Sequence, residues 1–488
     1  MEQRSKTYFV NLIVKKLKRL IISSISKGKY EVAFNSLETV ARILYDFNQV
    51  YTDSDVEREL LDISSFYKLQ YKHNLDIYKK KDNVILFYDG FGLDIRGVAK
   101  MYLNALIKNG YKVVYVIPKG SQGKMPETEK LTENCDVQWE TVNEKSSYGE
   151  RIDSLINIVL KYSPKSMFFY TTPWDVVGYE GFAVFDNIIT RYLIDLTDHA
   201  YWVGVGCNDY FCGSREMSAS NQFYGRGIKK NKCIKLGVNL VVDKVSDHTG
   251  LPFDVIKEKY IFSGGALYKT LGDENLYFYK IINHIIKNNH DIKFLYAGSG
   301  DTTEIDRLCK LYPSQVYLIP ERQDFYYLIE NSIFYLNTYP MFGGMMMKYS
   351  ANAGKIPITL KHDNDSDGLL LNQKDAKIEY ETYEELINDI DKLLANESYL
   401  KARETLLKNT IITEERFVNN IHSLIEFQNT DYSHNFDYID TKDFQNEFYC
   451  RFKLESLVTK GTLGVIVRNP ILYPLVVKKI LKKINFAK

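Results

Sequence analysis

The sequence predicts an α/β protein made of two doubly wound domains in tandem, with helical segments at both ends. Three observations carry that prediction. Short apolar runs ending in glycine turns recur between residues 82 and 428, each followed by a stretch with helical spacing. Such alternation specifies a parallel sheet with helices on both faces. The runs fall into two sets, and 488 residues suffice for two or three separate cores.

Residues 1–80 read as a helical extension. Segments such as YEVAFNSLETVARILYDFNQVY place apolar residues at 3.6-residue spacing and contain no proline. The character changes at DNVILFYDGFG, a short apolar run that reads as a buried parallel strand feeding a glycine turn. RGVAKMYLNALIKNGYKVVYVIP supplies a helix ending near Gly110 and a second strand, completing a βαβ unit. Strand-like runs at SMFFYTT and YWVGVG extend this first domain over 82–245. A second begins with KYIFSGGALYKT and continues through DIKFLYAGSG, QVYLIP, IFYLNTYP and KIPITLKH, with helices between, over 255–428. Two Rossmann-like domains in tandem are expected to face each other across a cleft, with the carboxyl ends of both sheets toward it.

Residues 429–488 read as a basic helical tail. From Arg451 onward, Lys453, Lys460, Arg468, Lys478, Lys479, Lys482, Lys483 and Lys488 stand against one acid, Glu455. LYPLVVKKILKKINF pairs an apolar stripe with lysines, as does FVNLIVKKLKRLIISSI near the other end. A helix of this kind either lies on an anionic membrane surface or docks its apolar face on the body of the protein.

Composition sets the outer bounds. With 45% hydrophobic and 26% charged residues the chain has the profile of a soluble globular protein. A net charge of +1 argues against a dedicated nucleic-acid binder. Six cysteines, at 135, 207, 212, 233, 309 and 450, form no CxxC pair, so neither a disulfide framework nor a zinc site is signalled. Reduced thiols, a basic interruption at Lys15, Lys16, Lys18 and Arg19, and the lack of a long apolar run predict a cytoplasmic chain without signal peptide or membrane span. Tyr (38) and Phe (26) are abundant. Tyrosine suits carbohydrate surfaces, although AT-rich codon usage explains the abundance more simply.

Two motifs fail on inspection. Gly90, Gly92 and Gly97 do not meet GxGxxG, and Lys112-Val113-Val114 occupies the place of the acidic residue a dinucleotide site needs. HDNDSDGLLLNQK (362–374) opens like a calcium loop, but its twelfth position from Asp363 is Lys374 rather than glutamate. No metal is expected there; Asp363 to Gly368 reads as a solvated turn at the carboxyl end of a strand.

Six pieces, in order across 82–428, carry a resemblance: FYDGFGLDIRG, LTDHAYWVG, FSGGALYK, YAGSGD, IPERQDFYYLI and NTYPMFGGMMMKYSANAGKIPITL. Together they resemble the GT-B glycosyltransferases, and the last looks like the donor segment of the O-GlcNAc-transferase-like branch. The resemblance implies transfer of a hexosyl or N-acetylhexosaminyl group from a nucleoside-diphosphate sugar, UDP-linked. The implied acceptor is a surface polysaccharide, a lipid-linked intermediate or a protein, with no metal or other cofactor. It also assigns roles. Gly343, Gly344 and Met345 bring helix-terminal N–H groups to the diphosphate, with Lys348 one turn in. Ser263, Gly264, Gly265 and Lys269 give a second contact, and Gly298 permits close approach. Arg322 grips base or phosphate, or instead pairs with Asp324. Gly90, Gly92, Asp94 and Arg96 form a loop bordering donor and acceptor.

Asp198-His199 is the catalytic candidate: the histidine as base for the acceptor hydroxyl, the carboxylate orienting it. A merely structural histidine is the alternative. One departure stands out. Many retaining relatives carry a glutamate where this chain has Tyr349, five residues before Gly354. A non-catalytic partner subunit and a UDP-sugar epimerase of the same fold therefore remain open.

Overall fold

The computed structural model describes residues 2–94, 97–242, 245, 247–361, 370 and 373–486. Arg96 and residues 362–369, which the sequence predicts to form a turn, lie outside the described residues. The chain folds as two units, one formed by Met1–Leu236 with Val418–Lys488 and the other by Gly237–Phe417. The boundary that the sequence predicts at 428 lies past the end of the second unit: Val418 onward packs with the first.

Unit 1 opens with helices α1 (Glu2–Ile25), α2 (Tyr30–Phe47), α3 (Ser54–Gln70) and the short α4 (Lys72–Asp76). Each boundary has a local cause. The Asp53 carboxylate accepts the backbone N–H groups of Asp55 and Val56 and starts α3. Asn48, in the left-handed region at φ 32°, ends α2. The sheet then follows as β1 (Lys81–Asp89), β2 (Lys112–Pro118), β3 (Val137–Val142), β4 (Pro164–Tyr170), β5 (Thr190–Ile194), β6 (Tyr210–Gly213) and β7 (Cys233–Lys235). Its order is β3-β2-β1-β4-β5-β6-β7, all parallel. Six consecutive residues of β1, Val84 to Asp89, are buried, which is why the strand reads as an apolar run rather than an alternation.

The helical extension is a layer of this unit. Ile13, Leu17, Phe34, Leu37, Leu60 and Ile63 share one buried cluster with Leu86 and Phe169 of the sheet and with Tyr449, Leu457 and Ile466 of the tail. YWVGVG is not a strand. Tyr201, Trp202 and Val203 are fully buried, but they form a loop that turns at Gly204, where φ is 92°. The strands of that region are Thr190–Ile194 and Tyr210–Gly213 on either side of it. Full burial gives a loop and a central strand the same apolar signature.

Unit 2 carries β8 (Lys259–Gly264), β9 (Ile292–Ala297), β10 (Val316–Ile319), β11 (Tyr335–Leu336), β12 (Pro357–Leu360) and β13 (Glu379–Tyr380). They pair in parallel in the order β10-β9-β8-β11-β12-β13. Helices cover both faces around two buried clusters, one including Ile282, Phe294 and Ile358, the other Tyr260, Phe262 and Leu328. Two parallel sheets wrapped by helices make the GT-B architecture, as expected.

Candidate functional site

Because the strands of unit 2 run parallel, their carboxyl ends share one edge, and the loops leaving them gather there. That edge is built from backbone. Gly264 ends β8, and a Cβ on it would sit 3.0 Å from the Ala297 carbonyl. Gly265 follows at φ 130°, donating its N–H to Ala297 O at 2.9 Å. A Cβ on Gly298 would come within 2.0 Å of the Gly265 carbonyl. The β8 and β9 loops can therefore touch only with glycine at 298. Leu267 N–H to Ser299 O (2.8 Å) and Gly298 N–H to Ile319 O (3.0 Å) complete the seam.

The loop after β11 is pinned to the same seam. Met341 donates its N–H to Lys269 O at 3.1 Å, and buried Asn337 accepts the Gly343 N–H at 2.9 Å. The helix Gly344–Asn352 starts from that point with Gly343 as its cap and no capping side chain. The first-turn N–H groups of Gly344, Met345 and Met346 thus have no acceptor inside the helix. Lys269 is half-buried, and Lys348, in the second turn, is buried. Ser263, Gly264, Gly265, Lys269, Gly298, Gly343, Gly344, Met345 and Lys348 all belong to this edge or to the helix leaving it.

Arg322 stands differently from its phosphate or base reading. Its guanidinium forms two hydrogen bonds to Asp324, at 2.6 and 2.8 Å, the salt bridge that its neighbour allows. Asp324 also meets His248 Nδ1 at 3.1 Å, and the His248 ring stacks on Tyr327 with centroids 3.6 Å apart. Burial tends to raise the Asp324 carboxyl, and the bonds from Arg322 and His248 outweigh it, leaving it below the ordinary carboxylate range.

In unit 1 the carboxyl edge is dominated by charged side chains. Asp89 at the end of β1 accepts the N–H groups of Phe91 and Gly92 and the Tyr115 hydroxyl at 2.7 Å. A Cβ on Gly90 would meet Thr171 Oγ1 at 2.0 Å, and one on Gly92 would meet Ser121 Oγ at 2.3 Å. Both glycines are thus required by packing against neighbouring loops. Asp94, expected to face substrate, has its carboxylate turned to the helix Pro126–Thr132. It accepts Glu127 N–H, Thr128 N–H and the Thr128 hydroxyl at 2.7–2.9 Å, which makes it an N-terminal cap.

Asp198 and His199 lie in the turn after β5. Asp198 is buried and held by the Arg215 guanidinium through two 2.6 Å bonds and by the Ser218 hydroxyl at 2.6 Å. Burial alone would raise this carboxyl; Arg215 overrides it and keeps it far below the usual range. His199 Nδ1 approaches Asp198 Oδ1 to 3.6 Å, an ion-pair distance beyond hydrogen bonding. The imidazole is about one-quarter exposed (24%), edge-on to Phe444 and tilted against Phe448. Its backbone is braced from the extension: Asn48 Nδ2 donates to His199 O at 2.8 Å.

The turn has an inner support that spacing did not reveal. Arg226, fully buried, donates to Ala200 O at 2.5 Å and lies over the Trp202 ring at 4.5 Å. Gln222 donates to Asp195 at 2.8 Å. From α3, Glu57 accepts Gly204 N–H at 2.8 Å and Gly206 N–H at 3.3 Å. Burial pushes the Glu57 carboxyl up to about 7 despite those bonds. The result is a rigid turn presenting one partly exposed imidazole beside an ionised carboxylate, an arrangement able to accept a proton.

No protein-family model matches the chain, and no curated protein matches it. Solved structures do. A protein from Listeria monocytogenes assigned as a UDP-N-acetylglucosamine 2-epimerase is similar with a TM-score of 0.53 at 11% identity, over 73% of this chain and 99% of that one. A glycosyltransferase from Rickettsia africae gives 0.51 at 12% identity, over 72% of this chain and 98% of its own. At such identities the likeness is one of fold, and the fold is GT-B.

Proposed function

We propose that this chain is a glycosyltransferase moving a hexosyl or N-acetylhexosaminyl group from a UDP-linked donor to a carbohydrate, lipid-linked or protein acceptor. The observation that carries the reading is the backbone-built edge of unit 2. Glycines at 264, 265 and 298 allow close approach of an anion, and the helix start after Gly343 offers the first-turn N–H groups of Gly344 and Met345, with Lys269 and Lys348 as cations. The donor's diphosphate is such an anion, and this means of holding it calls for no metal.

His199 accepts the proton of the acceptor hydroxyl as its oxygen attacks the anomeric carbon. The bond from that carbon to the diphosphate breaks, and UDP departs with the electron pair. Asp198, kept ionised by Arg215, stabilises the imidazolium so formed. A base in this role gives inversion. Tyr349, where many retaining relatives have glutamate, fits that outcome.

An epimerase is the competing reading, since the Listeria structure shares the fold. The two differ in whether an acceptor is needed. A thermal-shift screen across UDP-, GDP- and dTDP-sugars identifies the donor, and product analysis then discriminates. Sugar transfer, or slow hydrolysis releasing UDP, supports the transferase. A C2-epimerised UDP-sugar formed with no acceptor present defeats it. Binding without any turnover points to the non-catalytic subunit.

A further inference from the structure

The two basic amphipathic ends look alike in sequence and are packed differently. In α1 the apolar positions Val10, Ile13, Val14, Leu17 and Ile21 are buried, and Lys18 pairs with Asp53 (2.5 Å) and Asp55 (3.2 Å). That helix has its partners within the fold. The last helix, Tyr473–Phe486, buries Leu475 against the protein beside Leu472, and Lys479 donates to Val458 O. Val477, Ile480 and Leu481, spaced to share one face, point outward instead. The adjoining helix Lys460–Val467 and the turn after it add Leu463, Val467 and Ile471. These six side chains are 48–60% exposed.

Charge identifies what covers them. From Ser456 to Lys488 the chain has seven Lys and Arg and no acidic residue, although the whole protein carries only +1. Exposed Lys460, Arg468 and Lys478 flank the aliphatic positions. A second copy meeting this face symmetrically would set cation against cation. Protein hot spots favour Trp, Tyr and Arg, whereas the mixture here is aliphatic residues with lysine. Aliphatic side chains among cations match a bilayer interface, with acyl chains below and anionic headgroups beside the ammonium groups. No described helix is long and apolar enough to cross a membrane, which fits a helix lying on the surface.

We infer that the face formed by Lys460–Val467 and Tyr473–Phe486 docks on an anionic lipid surface. The inference is independent of the proposed transfer reaction. Its test is sedimentation of the full chain with vesicles of phosphatidylcholine alone and of phosphatidylcholine mixed with phosphatidylglycerol. The protein should pellet only with the mixed vesicles, and less as salt is raised. Two double variants, Val477→Ser with Ile480→Ser and Lys460→Glu with Arg468→Glu, should each weaken binding at least about tenfold. Their melting temperatures should match the parent, because the altered side chains are exposed. Failure to pellet with mixed vesicles, equal pelleting with both kinds, or undiminished binding by the variants would overturn the inference. So would a dimer in light scattering that either variant abolishes, which would give the face to a second copy.

Discussion

The two sheets share a topology but handle charge at their carboxyl edges in opposite ways. The edge in unit 2 is made of main chain: glycines at 264, 265 and 298 bring loops within van der Waals distance, and a bare helix start follows Gly343. The edge in unit 1 is made of paired side chains, Asp198 with Arg215 and Ser218, Asp195 with Gln222, Asp89 with Tyr115. A main-chain edge can receive a bulky anion but tolerates no added Cβ at its seam. A side-chain edge can hold a proton acceptor at fixed charge but tolerates no missing partner. Under the proposed reaction the first would hold the leaving group and the second would carry the base.

Substitutions can break this contrast, and the largest effect should come from the seam. Gly298→Val places a Cβ 2.0 Å from a backbone carbonyl that cannot swing away, so UDP-sugar binding in a calorimeter should vanish. Gly343→Ala, whose Cβ would meet Asn337 Oδ1 no closer than 3.4 Å, should bind nearly as the parent. Equal losses in the two variants would show that the seam is not the cradle. Next, His199→Ala should lower transfer by about 10²–10⁴-fold while donor affinity stays within about tenfold. Surviving turnover would remove His199 as the base.

Arg215→Ala leaves a buried carboxylate without its cation and should cost about 3–5 kcal/mol in urea unfolding. A small change would mean that Asp198 finds another partner. The gentlest probe is pH. Folded Glu57 keeps its proton up to about 7, while an unfolded glutamate releases it near 4.5. Between those values the folded state binds more protons, so the Glu57 contribution to stability falls as pH rises and is lowest above 7. The stability difference between the parent and Glu57→Gln should shift against the parent by about 2 kcal/mol between roughly pH 5 and 7. A flat difference would place the Glu57 carboxyl in an ordinary environment.

Much of the fold was legible because strands buried on both faces leave uninterrupted apolar runs, as in β1, β8 and β9. The same rule misread YWVGVG, whose burial comes from packing beneath Arg226 and the extension rather than from strand pairing. LTDH and the glycine loops stood out by residue type. Arg215, Gln222 and Arg226 did not, since they sit in short irregular segments without periodicity and meet the Asp198 turn only through the sheet. Asp94 illustrates the opposite error: an acid in a glycine loop suggests a ligand contact, yet it caps a helix 33 residues on. For Arg322 the sequence allowed ligand or salt bridge, and the structure has the salt bridge. The bonds that Asn48 and Glu57 make to the 199–206 turn are tertiary and left no local trace.

The return of Val418 onward to the first unit has a consequence for synthesis. Tyr192 donates its hydroxyl to Leu424 O, Tyr111 donates to Glu426, and Tyr449, Leu457 and Leu472 complete the core that α1 and α2 begin. Unit 2 is continuous in the chain, so it can close as it leaves the ribosome. Unit 1 must wait, its sheet formed but part of its apolar surface uncovered, until the last helices emerge. Nascent chains stalled near 417 should therefore recruit chaperones, and their first-unit half should be the part that is digested.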